Sequence, residues 1–186
     1  MLIGENVRLR LATIEDAPLV AAWYGDPDYV GPFDNTWPRS CREWEGHLGD
    51  EQARDRGAFY LILRGDAQEP TGVATYWNPF TAPMFRTFEL SYEVHPSARG
   101  NGIATQAACL LVNHLFMALP IERLQATTVV GNDASRRVLE KAGMQREGTL
   151  RRVTFVHGEY VDMHIFSIIR ADWSDERAYR STRDPF

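Results

Sequence analysis

The stretch Val94-His95-Pro96-Ser97-Ala98-Arg99-Gly100-Asn101-Gly102-Ile103-Ala104-Thr105 carries the residues whose types and spacing could do chemistry. An apolar run of β type (Phe88, Leu90, Tyr92, Val94) stops at Pro96, two glycines follow, and an apolar pattern at helical spacing begins at Ile103. Strand, glycine turn and helix in that order leave backbone N–H groups unpaired at a helix N-terminus. Such a terminus carries about half a positive charge and suits a phosphate or pyrophosphate. A Cβ at the glycines would hold the backbone away from the anion. Two other phosphate loops are excluded by spacing: no Gly-Lys-Ser/Thr follows the glycines, and G-x-G-x-x-G is incomplete. Taken alone, the pattern also fits a plain strand-to-helix turn that needs glycine.

Further along stands Asn132-Asp133-Ala134-Ser135-Arg136-Arg137-Val138-Leu139-Glu140-Lys141-Ala142-Gly143-Met144, with Glu147-Gly148 after it. A third block runs Leu150-Arg151-Arg152, then His157-Gly158-Glu159-Tyr160-Val161-Asp162 and an apolar strand. Arg99-Gly100-Asn101-Gly102-Ile103-Ala104 resembles the R/Q-x-x-G-x-G/A motif of the GNAT acyltransferases, whose turn receives the pyrophosphate of an acyl-coenzyme A. The later blocks are similar to N-x-x-S-x-x-x-L-E-K-x-G-F…E-G and R…G-x-Y-x-D of the GNAT branch that includes ribosomal-protein N-terminal acetyltransferases. The three blocks cover roughly residues 86–169, and Val7-Arg8-Leu9-Arg10 with Asp16 look like that branch's first strand and helix start. Gln106 stands where the branch usually has Glu, and Met144 where it has Phe.

The resemblance implies acetyl-coenzyme A as acyl donor and direct transfer of its acetyl group to a primary amine, on a small molecule or a protein N-terminus. It implies cofactor contacts from Val94, Arg99, Gly100, Asn101, Gly102, Ile103, Ala104 and Thr105, with Asn132 on the pantetheine amides and Ser135 beside the sulfur. Such a reaction needs a neutral amine, a held oxyanion and a proton for the thiolate. An amine near its ordinary pKa of about 10 is mostly protonated at neutral pH, so a base is useful. Glu89 and Glu93 share one face of a strand, being four residues apart. Glu89 matches a Glu frequent in the family and is the favoured base; for each, a solvated strand carboxylate is the alternative. For the acid, the position where many members carry Tyr is Leu139, and the branch's proposed donor is the Ser at 135. Ser135 could equally be a first-turn serine that merely caps its helix. A backbone N–H near Val94 would hold the oxyanion. Arg136, Arg137 and Lys141 would help a cofactor phosphate or form a plain basic helix face.

The elements that must position these residues read as a mixed α/β order. Val7–Leu11 alternates as a strand, and Asp16 would cap a helix through Tyr24. Gly25 to Pro38 holds three prolines, two glycines and the aromatics Tyr29, Phe33 and Trp37. It reads as an ordered loop packed over the body, either as a wall of the acceptor site or as a loop anchored by aromatics. Ser40 and Glu43 have capping-box spacing for a helix to about Asp55. Strands are expected at 59–63, 73–77, 86–94 and 124–130, with helices at 102–118 and 134–142 and a closing hairpin at 149–156 and 160–169. The pair 86–94 and 124–130 must be parallel, because a long helix joins them. The resemblance adds that these two strands splay, within a mostly antiparallel sheet flanked by helices.

Residues 1–186, 44% hydrophobic, are enough for one acyltransferase domain with a sizeable core. No run reaches the ~18–20 apolar residues of a membrane span, and the start lacks a signal-peptide pattern. Cys41 and Cys109 make no disulfide framework, so a cytoplasmic protein is expected, with Cys109 as a small buried hydrophobe. A net charge of −5 argues against nucleic acid as a partner. The histidines show no metal-ligand spacing, so no metal is expected. A homodimer stays open. The rival to the enzyme is a non-catalytic acyl-coenzyme A-binding protein that acts through partners.

Overall fold

The computed structural model of the chain describes residues 1–36, 38–50, 57–79 and 87–173. Its centre is an eight-stranded sheet in the order β1-β2-β3-β4-β5-β6-β8-β7. The strands are β1 (Leu2–Ile3), β2 (Val7–Leu11), β3 (Gly57–Arg64), β4 (Pro70–Trp77), β5 (Thr87–Val94), β6 (Arg123–Val129), β7 (Gln145–Val156) and β8 (Glu159–Ile169). Neighbouring strands are antiparallel except β5 and β6, which run parallel as the crossover demands. Their ladder holds only from Thr87↔Arg123 to Glu89↔Gln125, after which the strands part. That opening is the feature of the fold that creates a site.

Helix α1 (Ala17–Tyr24), the short α2 (Pro27–Val30) and α3 (Cys41–Gly49) cover one face of the sheet. The long α4 (Ile103–Ala118) covers the other, and α5 (Asp133–Lys141) flanks it. Ile103, Ala107, Leu111 and Leu115, the face expected to be apolar, are all buried. Alternation along β5 sends Leu90 and Val94 into the α4 side, and Glu89, Ser91 and Glu93 to the α1–α3 side. Gly72 of β4 faces Val94 of β5, and a Cβ on it would lie 2.3 Å from the carbonyl oxygen of Glu93. Only glycine allows β4 to approach β5 so closely at the head of the opening.

Several local expectations change in detail. A two-residue strand at Leu2–Ile3 joins the sheet edge, which the sequence did not signal. Asp16 precedes α1 without capping it; its carboxylate instead grips Arg10 at 2.8 and 2.9 Å and accepts from the Thr13 N–H. The capping box of α3 forms, with Ser40 N–H donating to Glu43 at 2.8 Å and Glu43 N–H donating back to the Ser40 hydroxyl at 3.3 Å. The stretch from there to Asp55 lies partly outside the described residues, as do Arg86 and Trp37. Cys109 is buried as expected. Among the described residues no helix is long and apolar enough to cross a membrane, and no three His, Cys, Asp or Glu side chains stand together as a metal site.

Candidate active site

A cleft of about 560 Å³ opens where β5 and β6 part, and Val94, Arg99, Gly100, Gly102, Ile103, Ala104, Thr105, Asn132 and Ser135 all line it. Its floor is the turn. A 3-10 turn at Pro96–Ala98 ends β5, and Gly100 and Gly102 then adopt positive φ of 79° and 73°. Gly102 is the N-cap of α4 and offers no side chain to the free N–H groups of the first turn. A left-handed cap with no Cβ therefore leaves the helix N-terminus bare toward the cleft. That is the geometry an anionic pyrophosphate requires.

Two predicted contacts have side chains already engaged within the turn. The guanidinium of Arg99 donates to Val94 O at 2.9 Å and to the carbonyls of Tyr29 and Asp28, so it ties the turn to α2. Asn101 donates to Ala98 O at 3.2 Å and Arg99 O at 3.1 Å. The backbone of this turn, rather than these two side chains, is what remains for an anion.

The register also frees a donor. His95 N–H bonds Thr71 O, so Gly72 and Val94 form a non-hydrogen-bonded pair and Val94 turns its N–H away from β4. Beyond Glu89 no β6 residue pairs on that side. Val94 N–H thus points into the opening, where a developing oxyanion could be held.

The two carboxylates of β5 differ in surroundings. Glu89 lies where β6 is still alongside, and its oxygens accept from Gln125 Nε2 and Thr127 Oγ1, both at 3.1 Å. It is not part of the cleft lining. Glu93 is. The Tyr24 hydroxyl hydrogen-bonds Glu93, yet its Oε2 is closed off and has no donor among the described residues. Burial pushes the Glu93 carboxyl up to about 7, nearby Asp34 adding to the shift and the Tyr24 bond opposing it. Tyr29, 0% exposed, also keeps a buried hydroxyl without a partner among the described residues. It stacks on Trp23 at 5.0 Å, and burial, then the Glu93 charge, raise its pKa. Phe33 and Asp34 from the loop after α2 complete this wall. Asn35 pins that loop to the β7–β8 hairpin by donating to Phe155 O and accepting His157 N–H at 3.2 Å.

On the opposite wall, Asn132 caps α5 by accepting Ser135 N–H at 3.1 Å. Ser135 Oγ lies 3.0 Å from the hydroxyl of Tyr92, which also donates to Ser135 O at 3.1 Å. Burial raises the Tyr92 pKa well above its ordinary value. Tyr92 was not among the residues expected from sequence; alternation alone makes it a core residue beside Leu90. It reaches α5 only because the strands splay. Arg136 is held by Asp133 and Glu140, whereas Arg137 and Lys141 line the cleft.

Comparison with known proteins gives a consistent result. The sequence model of the acetyltransferase (GNAT) domain matches residues 6–145. The uncharacterized N-acetyltransferase YoaA of Bacillus subtilis is 33% identical over 115 residues, 62% of this chain and 64% of YoaA, a little under two thirds of that relative's length. The [ribosomal protein uS5]-alanine N-acetyltransferase of Escherichia coli K12 is 24% identical over 183 residues, covering 95% of this chain and 94% of that protein. Among solved structures, Mycobacterium smegmatis RimJ in complex with CoA-disulfide superposes with a TM-score of 0.79 at 26% identity, covering 94% of this chain and 87% of that one.

Proposed function

The chain belongs to the GNAT acetyltransferase family, and on that premise we propose that it transfers an acetyl group from acetyl-coenzyme A directly to a primary amine. The carrying observation is the bare helix N-terminus at Gly102, open to a cleft between strands that part after Glu89. Acetyl-coenzyme A supplies the acetyl group as a thioester. The N–H groups of residues 102–105 hold its pyrophosphate, with Arg137 and Lys141 near the mouth for further phosphate charge. Asn132 keeps its amide nitrogen for the pantetheine arm, its oxygen serving the α5 cap. Val94 N–H holds the oxygen on which charge develops. Glu93 takes the proton from the attacking amine, a role supported by its unpartnered oxygen and a carboxyl poised near neutral pH. Ser135, backed by Tyr92, gives a proton to the departing sulfur.

The acceptor is a small-molecule amine or a protein N-terminus, and the protein acts in the cytoplasm as one acyltransferase domain. A chain that only held acyl-coenzyme A would gain nothing from a buried carboxylate lacking a donor, since such a group costs stability. The turn is tested by thermal shift. Coenzyme A at a hundredfold excess over Kd should stabilise the protein by about 2.7 kcal/mol. Thr105→Glu places a carboxylate in the first turn of α4, which suits the apo helix but repels an anion. The variant should melt no lower than wild type and lose the shift. An equal shift in both proteins sinks the reading.

A further inference from the structure

A second cavity, of about 770 Å³, lies against the far end of the same sheet face, under α3, and Tyr24, Trp44, His47, Phe59, Tyr76 and Trp77 line it. We propose that this cavity seats the body of the acceptor, and that the acceptor is an aromatic group carried on a short arm from a primary amine. The inference rests on the acetyl-transfer reading above and names its substrate class.

The first argument is where the cavity lies. Tyr24 lines it and hydrogen-bonds Glu93, which lines the cleft. Thr75 also lines it and shares a 3.0 Å hydroxyl bond with Ser91, again a cleft residue. Two side-chain pairs, Tyr24 with Glu93 and Thr75 with Ser91, stand between the two spaces, and the carboxylate whose Oε2 has no donor among the described residues belongs to the first pair. An amine on an arm from a body seated in the cavity would approach Glu93 between these two pairs.

The second argument is what the cavity would hold. Its rings already form an edge-and-face chain: Tyr24 to Trp44 at 5.0 Å, Trp44 to His47 at 5.6 Å and Trp44 to Phe59 at 5.9 Å. A further ring extends such a chain, each aromatic pair adding to the gain from area burial. Besides the Tyr24 and Tyr76 phenols, the described ionisable groups that line the cavity are Arg39, Asp50 and His47. Arg39 lies 5.4 Å over the Trp44 ring, and burial lowers the His47 pKa, favouring neutral imidazole. One cation and one anion give the lining no net charge with which to retain a polycation. Apolar ring surface is what this site has to offer.

The test compares phenylethylamine with butylamine, and the peptide Phe-Gly-Gly with Ala-Gly-Gly, in acetylation by the full-length protein and in tryptophan-fluorescence titration without acetyl-coenzyme A. At least one aromatic acceptor should exceed its partner about tenfold in kcat/KM, and whichever does identifies a free amine or an N-terminal residue as the source. Trp77→Ala, at a residue 39% exposed, and Phe59→Leu should each raise that acceptor's KM about fivefold and leave the KM for acetyl-coenzyme A unchanged. Equal kcat/KM for aromatic and aliphatic acceptors, or an acceptor KM indifferent to both substitutions, overturns the proposal. An intact coenzyme A shift with no aromatic preference overturns this inference alone. Saturable fluorescence binding of phenylethylamine, weakened by Phe59→Leu, without any coenzyme A shift would support the aromatic cavity and remove the acetyl-transfer reading.

Discussion

The hydroxyl of Tyr92 stands 3.0 Å from the hydroxyl of Ser135, so a side chain from β5 crosses the opening and holds the first turn of α5. Its second contact, to Ser135 O at 3.1 Å, uses the phenol proton when it donates there. The phenol oxygen then accepts the Ser135 hydroxyl proton, which must turn out of this bond to reach the departing sulfur.

If Ser135 protonates the leaving sulfur, Ser135→Ala lowers kcat by about 10²-fold with little change in the KM for acetyl-coenzyme A. Tyr92→Phe keeps the ring in the core and removes only the hydroxyl. It should lower kcat about tenfold with the same KM, and the double variant should be no worse than Ser135→Ala alone. Additive losses in steady-state kinetics would separate the two residues.

Glu93→Gln retains an acceptor for the Tyr24 hydroxyl and removes the base. The wild-type kcat/KM should rise with pH through about 7 as the carboxyl ionises, and the variant should lose both rate and that rise. Stability moves the other way. A folded pKa of about 7 against an ordinary 4.5 means the folded state binds the proton more tightly. The wild type therefore loses stability as pH climbs from about 4.5 to 7, by up to about 3 kcal/mol. Thermal melts should show Glu93→Gln matching wild type at pH 4.5 and exceeding it at pH 8. Equal melts at both values would mean the carboxylate is solvated.

Glu89→Gln gives the contrasting result. Its carboxylate accepts from Gln125 and Thr127; in the variant the amide oxygen can still accept from Gln125 and the amide N–H can donate to the Thr127 hydroxyl, so charge is lost but neither contact is. A loss of no more than about 1 kcal/mol in denaturant unfolding is expected, the difference between charged and neutral hydrogen bonds, with kcat within about twofold and the pH profile unmoved. A pH profile flattened by this substitution would return the base to Glu89.

Arg99→Lys separates charge from shape. The guanidinium spans three carbonyls, of Val94, Tyr29 and Asp28, and an ammonium on a flexible stem cannot reproduce that fork. The melting temperature should fall as about 1–3 kcal/mol is lost, more than the affinity for coenzyme A falls. The reverse pattern, full stability with weak coenzyme A binding, would assign Arg99 to the anion.

What could be read from the chain was what short segments decide for themselves. The turn at Gly100 and Gly102 is local, because positive φ and a bare helix start are set by residue type within a few positions. So are the capping box at Ser40 and Glu43, the apolar face of α4, and the parallel relation of β5 and β6 that a long crossover forces. Trp37 lies outside the described residues. Glu89 and Glu93 show what local reasoning could not reach. Strand alternation puts both on one face and makes them equivalent. They differ only because β6 still runs beside Glu89, supplying Gln125 and Thr127, and has left β5 by Glu93, which meets Tyr24 and Tyr29 from helices far off in sequence. Burial, ionisation and the reach of Tyr92 to Ser135 all follow from where two strands part. No residue type encodes that point, because it is fixed by the packing of α1, α2, α4 and α5 around the sheet at once.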